Sequence, residues 1–202
     1  MNMHHQLIKT GIFELYYGAM KSGKSKALIN RVEQLRFLEG VEFFIVQPRI
    51  NTRETKLKSR FSEMSLPTIV IDEKEPAKIL DKVTEKTKLI AIDEIQFFDE
   101  TIVDVIYQLQ LKGINVVAAG LNTDFRGEPF GPMAKLMTLV DEPYSLAGVC
   151  DVDGCNRRGT RTQRLIGGKP AHYDEPIVLI DGTGAKEEYQ TRCLLHHKVL
   201  KD

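Results

Sequence analysis

Gly18-Ala19-Met20-Lys21-Ser22-Gly23-Lys24-Ser25 is the stretch that decides the fold. It satisfies G-x-x-x-x-G-K-[ST], and its flanks supply the context that gives this motif meaning. Gly11–Tyr17 (GIFELYY) is rich in β-formers. Ser25–Glu39 places Ala27, Leu28, Val32, Leu35 and Leu38 at helical spacing. Strand, glycine loop and helix in this order make a phosphate cradle. The glycines allow backbone N–H groups to turn toward phosphate oxygens, above the positive end of the helix dipole. Lys24 is then placed to reach β- and γ-phosphates, and the Ser25 hydroxyl to meet Mg²⁺.

Outward from that loop, Gly40 reads as the helix C-cap and Val41–Val46 (VEFFIV) as a second strand closed by Gln47-Pro48. Arg49–Ser65 is polar and reads as a loop or a loosely held helix. Leu66–Ile71 reads as a strand, and Pro76–Glu85 as a helix with Ala77, Ile79, Leu80 and Val83 on one side. Leu89–Ile92 follows as a buried strand and Glu100–Leu111 as a helix stopped by Gly113. Ile114–Ala119 is a further strand, Pro132–Leu139 a short helix and Tyr144–Val149 a last strand. The alternation predicts an α/β fold of the P-loop NTPase kind, a mostly parallel sheet with flanking helices. Composition changes at Cys150, which divides the chain into an α/β domain over 1–149 and a small metal-binding unit over 150–202. In the second, Thr162–Ile166 and Ile177–Ile180 are the β-like pieces.

Composition narrows the function. A chain of 202 residues with 42% apolar content builds one domain plus a small appendage. Twenty-eight basic residues against 28 acidic ones leave no net charge, so the broad electrostatic footprint of a nucleic-acid or membrane-surface binder is missing. The basic stretch Arg157-Arg158-Gly-Thr-Arg161 reads as a solvated loop face. No apolar run approaches the roughly 18–20 residues that span a bilayer, and Met1–Thr10 does not read as a signal peptide, so the expected compartment is the cytoplasm. Three cysteines cannot close a disulfide framework, and in a reducing compartment thiols serve metals or catalysis.

Two constellations carry chemistry beyond the glycine loop. Ile90-Ala-Ile-Asp93-Glu94 puts two carboxylates where a buried strand emerges at the carboxyl edge of the sheet, the place where open α/β sheets bind ligands. Asp93 fits the second Mg²⁺ position beside Ser25. Glu94, expected to point differently because strand side chains alternate, can take a proton from the nucleophile. A water nucleophile would make the protein an ATPase, a substrate hydroxyl a kinase. The second constellation is Cys150-x4-Cys155 with Cys193-x2-His196, four N/S ligands of the kind tetrahedral Zn²⁺ takes in a closed structural site. His197 stands beside His196 as the other candidate for the fourth position.

Loop, acidic pair and zinc ligands in this order resemble the thymidine kinases of the small, zinc-containing type. The resemblance covers about Gly11 to His197. It includes Asp93-Glu94-Ile-Gln96-Phe97-Phe98, Gly120-Leu121-Asn-Thr-Asp124-Phe125, Pro129-Phe130-Gly131 and Arg161-Thr162-Gln-Arg164-Leu165. It implies ATP-dependent phosphorylation of the thymidine 5′-hydroxyl, with deoxyuridine as a second substrate, in a homotetramer that engages neither nucleic acid nor membrane. On the same footing Glu94 is the general base. Gly18 through Ser25, Asn51-Thr52-Arg53 and Asp93 through Gln96, Ile95 included, hold Mg-ATP, with Arg53 near the transferred phosphate. Met20, Phe97, Leu121, Phe125, Phe130, Thr162 and Tyr189 build the base pocket. A lasso loop presents the main chain of Ile177, Val178, Leu179, Ile180 and Asp181 to the pyrimidine edge. Aromatic walls with backbone donors and acceptors suit a flat ring with a hydrogen-bonding rim. Asn51 and Asn122 stand where the family commonly has aspartate, Asp181 where it has glycine, and the first cysteine pair is spaced wider than its usual two.

Overall fold

Strands that are apolar at every position need cover on both faces, and the middle of this chain supplies several. The computed structural model describes residues 11–50, 68–177 and 187–202. Six strands form the main sheet: β1 (Phe13–Tyr17), β2 (Glu42–Pro48), β3 (Thr68–Ile71), β4 (Thr87–Ile92), β5 (Asn115–Gly120) and β6 (Glu142–Ser145). They lie in the order β3-β2-β4-β5-β1-β6, and every neighbouring pair is parallel. Alternation along each strand splits the core in two. Ile45, Leu89, Ala91, Val117 and Ala119 meet Leu28, Ile29 and Val32 of α1 (Lys24–Glu33) on one face. Phe13, Leu15, Ile90, Ile92, Val116 and Ala118 meet α2 (Ile102–Leu111) and α3 (Met133–Leu139) on the other. Arg31 of α1 forks onto the buried Glu14 of β1, with N–H···O contacts of 2.7 to 3.0 Å, and so ties the first helix to the strand before it.

Beyond β6 the chain builds two small sheets. β7 (Gly148–Val149) pairs antiparallel with β8 (Arg158–Gly159), and β9 (Arg161–Ile166) lies between β10 (Lys169–Pro170) and β11 (Glu187–Arg192). We call these two sheets the ribbon.

The structure departs from the expected elements in several places. The first helix stops at Glu33, a 3₁₀ turn over Gln34–Phe37 follows, and Leu38 is extended. Leu35 is the last residue of the run to reach the core, and Phe37 faces solvent, so nothing rewards a longer helix. Pro76–Lys82 is a 3₁₀ turn, not an α-helix; Pro76 opens it and Ile79 anchors it. The expected strand Tyr144–Val149 is two strands, because after Ser145 the chain leaves β1 and turns to pair with Arg158–Gly159. β11 is an element that local patterning did not indicate. Among the described residues no helix is long and apolar enough to cross a membrane.

Candidate functional site

The glycine loop leaves β1 at the carboxyl edge, where the chain must turn sharply. Gly18 packs so closely on the Leu146 carbonyl that a Cβ would collide with it, and Gly23 has φ +87 at the start of α1. Lys21 adopts φ +57, a conformation L side chains rarely take. Lys24 is buried at the floor of the loop and donates to the Ala19 carbonyl at 2.8 Å. Burial lowers its pKa, and the Glu94 and Asp93 carboxylates oppose that shift. The Ser22 hydroxyl is buried with no protein partner among the described residues, a donor left for something the loop encloses. Met20 is half-buried, its N–H donating to Thr162 Oγ1 at 3.1 Å and its carbonyl accepting from Thr191 Oγ1 at 2.7 Å.

Across the edge, Asp93 lies beyond the last residue of β4 and its N–H donates to the Val46 carbonyl of β2. The Ser25 hydroxyl donates to Asp93 Oδ1 at 3.2 Å, so the two groups expected to share a cation do meet. Burial, with the Glu94 carboxylate beside it, pushes the Asp93 carboxyl up to about 7; the Ser25 bond, the Glu94 N–H and Lys24 pull the other way. The expectation that strand alternation separates Asp93 from Glu94 is corrected here. Both residues lie past the strand, and Glu94 turns away through a left-handed backbone, φ +53. Its Oε2 accepts from Gln96 Nε2 at 2.6 Å, while Gln96 Oε1 accepts from the Leu121 N–H at 3.0 Å. Gln96 thus orients the Glu94 carboxylate. Ile95 lies in the core, and Gly131 packs against the Gln96 carbonyl where a Cβ would not fit.

The expected base-pocket residues fall into two groups, one beside Gln96 and one on or against the ribbon. Phe97 and Phe130 meet edge to face with centroids 5.4 Å apart, and Leu121 is buried beside Gln96. Phe125 is buried under the guanidinium of Arg164 at 5.2 Å. Thr162 on β9 touches the glycine loop through Met20, and Tyr189 sits on β11 opposite Arg164. Arg164 is wholly buried, donating to Glu187 at 2.5 Å and to the Pro176 carbonyl at 2.5 Å. Ile177 is exposed. Asn51, Thr52 and Arg53 lie outside the described residues, as do Val178, Leu179, Ile180 and Asp181. Local reading missed Asp151 and Thr191, which contact the glycine loop from the ribbon; with Thr191 on a strand the sequence pattern did not reveal, only the fold shows that contact.

Cys150, Cys155, Cys193 and His196 converge, their ligand atoms all within 4.8 Å of one another. Cys150 Sγ is 3.5 Å from His196 Nδ1 and Cys155 Sγ 4.0 Å from Cys193 Sγ, near the ~3.8 Å edge of a tetrahedron of ~2.3 Å Zn–S bonds. None of the three cysteines is in a disulfide. Burial pushes the Cys150 thiol up, but N–H groups of Cys193 and Val152 with His196 and Cys155 outweigh it and bring it down to about 6, toward the thiolate a metal binds. His197 is committed elsewhere, its Nε2 2.8 Å from the Phe125 carbonyl. The donor set, its geometry and its burial fit a structural zinc ion.

A parallel sheet that opens a glycine loop beside a serine–carboxylate pair belongs to the P-loop nucleotide-binding proteins. Within that class, residues 11–197 match the family model described as thymidine kinase. The chain belongs to the thymidine kinase family, transferases that phosphorylate thymidine with ATP.

Proposed function

We propose that this protein transfers the γ-phosphoryl group of Mg-ATP to the 5′-hydroxyl of thymidine, and of deoxyuridine, giving the nucleoside monophosphate for pyrimidine salvage. One observation carries the proposal: the Ser25 hydroxyl and Asp93 carboxylate face each other at 3.2 Å, beside the buried Lys24 and one residue from Glu94. In this reading Gly18 through Ser25 enclose the donor phosphates. Ser25 and Asp93 hold the Mg²⁺ that accompanies ATP, whose charge offsets that of the phosphates. Lys24 exchanges the Ala19 carbonyl for phosphate oxygen. Glu94, aimed by Gln96, accepts the 5′-hydroxyl proton as that oxygen bonds to the γ-phosphorus and the bond to the β-phosphate oxygen breaks, releasing ADP. Arg53 joins the charge stabilisation on the strength of the family resemblance.

The nucleoside base lies among Met20, Phe97, Leu121, Phe125, Phe130, Thr162 and Tyr189, with the main chain of residues 177–181 at its rim. Residues 1–149 act as the nucleotide-binding domain, and 150–202 as the zinc-bearing unit that grips the nucleoside. Cys150, Cys155, Cys193 and His196 hold the zinc, which ties the ribbon together. The protein works as a cytoplasmic homotetramer. Exposed Tyr107, Leu111 and Leu139 on α2 and α3 support self-association, since solvent-facing apolar residues gathered on neighbouring helices favour burial.

The test is transfer of labelled γ-phosphate from Mg-ATP with thymidine, deoxyuridine, deoxycytidine or deoxyadenosine offered separately. Label on thymidine and deoxyuridine but not on the purine is expected. Label released only as inorganic phosphate, whatever the nucleoside, would make the protein an ATPase.

A further inference from the structure

The ribbon grips the main chain of the glycine loop at one residue, Met20. Thr162 and Thr191 face each other across the β9/β11 register, and both are buried. Thr162 Oγ1 takes the Met20 N–H and Thr191 Oγ1 gives its proton to the Met20 carbonyl. Thr191 is itself fixed from three sides. Its N–H donates to Asp151 Oδ2 at 2.8 Å, its carbonyl accepts from the Asp151 N–H at 2.8 Å, and its methyl fills the space that a side chain at Gly159 would need. Asp151 Oδ2 also meets Lys21 Nζ at 3.3 Å.

The described chain has no cis peptide, so the Met20–Lys21 unit is planar and trans, with C=O and N–H directed oppositely. A carbonyl committed to Thr191 therefore aims the Lys21 N–H away from the ribbon. Lys21 holds φ +57, which strains a residue with a Cβ and persists only where its surroundings impose it. The Met20 N–H, spent on Thr162, is not free for a ligand. We propose that Thr191 is a positioning residue for the phosphoryl donor: its hydroxyl sets the Met20–Lys21 peptide so that the Lys21 N–H faces the donor's phosphates. This rests on the assignment of the glycine loop as the ATP site.

The experiment compares wild type, Thr191→Val and Thr191→Ser in the zinc-loaded full chain. Valine keeps shape and removes the hydroxyl; serine restores it. Mg-ATP affinity by calorimetry and the Mg-ATP KM are expected to weaken about tenfold in Thr191→Val, the size of one lost buried hydrogen bond, while the thymidine KM stays within about twofold and Thr191→Ser recovers the wild-type values. Unchanged Mg-ATP affinity in Thr191→Val, or a thymidine KM that rises in step, overturns the proposal. Should Thr191→Val fail to fold, Asp151→Ala takes its place: about threefold weaker Mg-ATP binding supports the proposal, and unchanged binding overturns it. Calorimetry reads Thr191 without reference to transfer, so its result is separate from that of the thymidine assay.

Discussion

The carboxyl edge of the sheet and the cysteine cluster of the ribbon are built on opposite terms. At the edge, groups sit in arrangements that a ligand would relieve: Asp93 buried against Glu94, Lys24 turned back on its own loop, Ser22 without a partner among the described residues. Lys21 and Glu94, the non-glycine residues with positive φ among those described, both lie there. In the ribbon, by contrast, left-handed positions are taken by Gly154, Gly167 and Gly168, where no Cβ resists them. Cys150, Cys155, Cys193 and His196 converge there as a closed tetrahedral set would require. Backbone strain at residues with a Cβ is thus confined, among the described residues, to the edge. On this account the edge performs the phosphoryl transfer and the ribbon holds the substrates for it.

The edge is most sensitive at Glu94. Glu94→Gln is expected to lower phosphoryl transfer by roughly 10²–10⁴-fold while Mg-ATP affinity stays within about twofold; single-turnover transfer beside calorimetry measures both. Near wild-type transfer would remove Glu94 from the role of base. A smaller effect is expected at Asp93. A carboxyl raised to about 7 favours the fold in its protonated form, so its contribution is complete below the unfolded value near 4 and is lost as pH rises through 7. Asp93→Asn is neutral throughout and escapes that loss. Its melting temperature without nucleotide or magnesium is expected to gain roughly 5 °C on wild type between about pH 4.5 and 8. A difference independent of pH would mean that Asp93 is not strained by burial.

Much of the edge was legible locally, because strand, glycine loop and helix are consecutive and their signals lie within one stretch of about thirty residues. Asp93 and Glu94 were legible as a pair at a strand end whose side chains part, but the cause of their separation was not. The separation comes from the left-handed turn at Glu94 and from Gln96, whose amide reaches the Leu121 N–H after β5, and neither follows from side-chain periodicity. The cysteine spacing pointed to Cys150, Cys155 and Cys193 with a neighbouring histidine as one cluster, and the four side chains do converge. The choice of His196 over His197 needed the fold, since the Phe125 carbonyl that occupies His197 is 72 positions away in the chain. β11 escaped for the same reason: Glu187–Arg192 is polar, carries no alternation, and becomes a strand only by pairing with β9. Thr191 and its hold on Met20 were therefore out of reach of any local reading.

The division between edge and ribbon is tested most directly by withdrawing zinc in graded steps with a chelator while following kcat and both Michaelis constants. If the ribbon grips and the edge reacts, the KM for thymidine and for Mg-ATP climb as zinc leaves, and kcat at saturation stays within about threefold. A kcat that falls in proportion to zinc, with both KM values unchanged, would show that the chemistry itself depends on the cysteine cluster and would contradict the account.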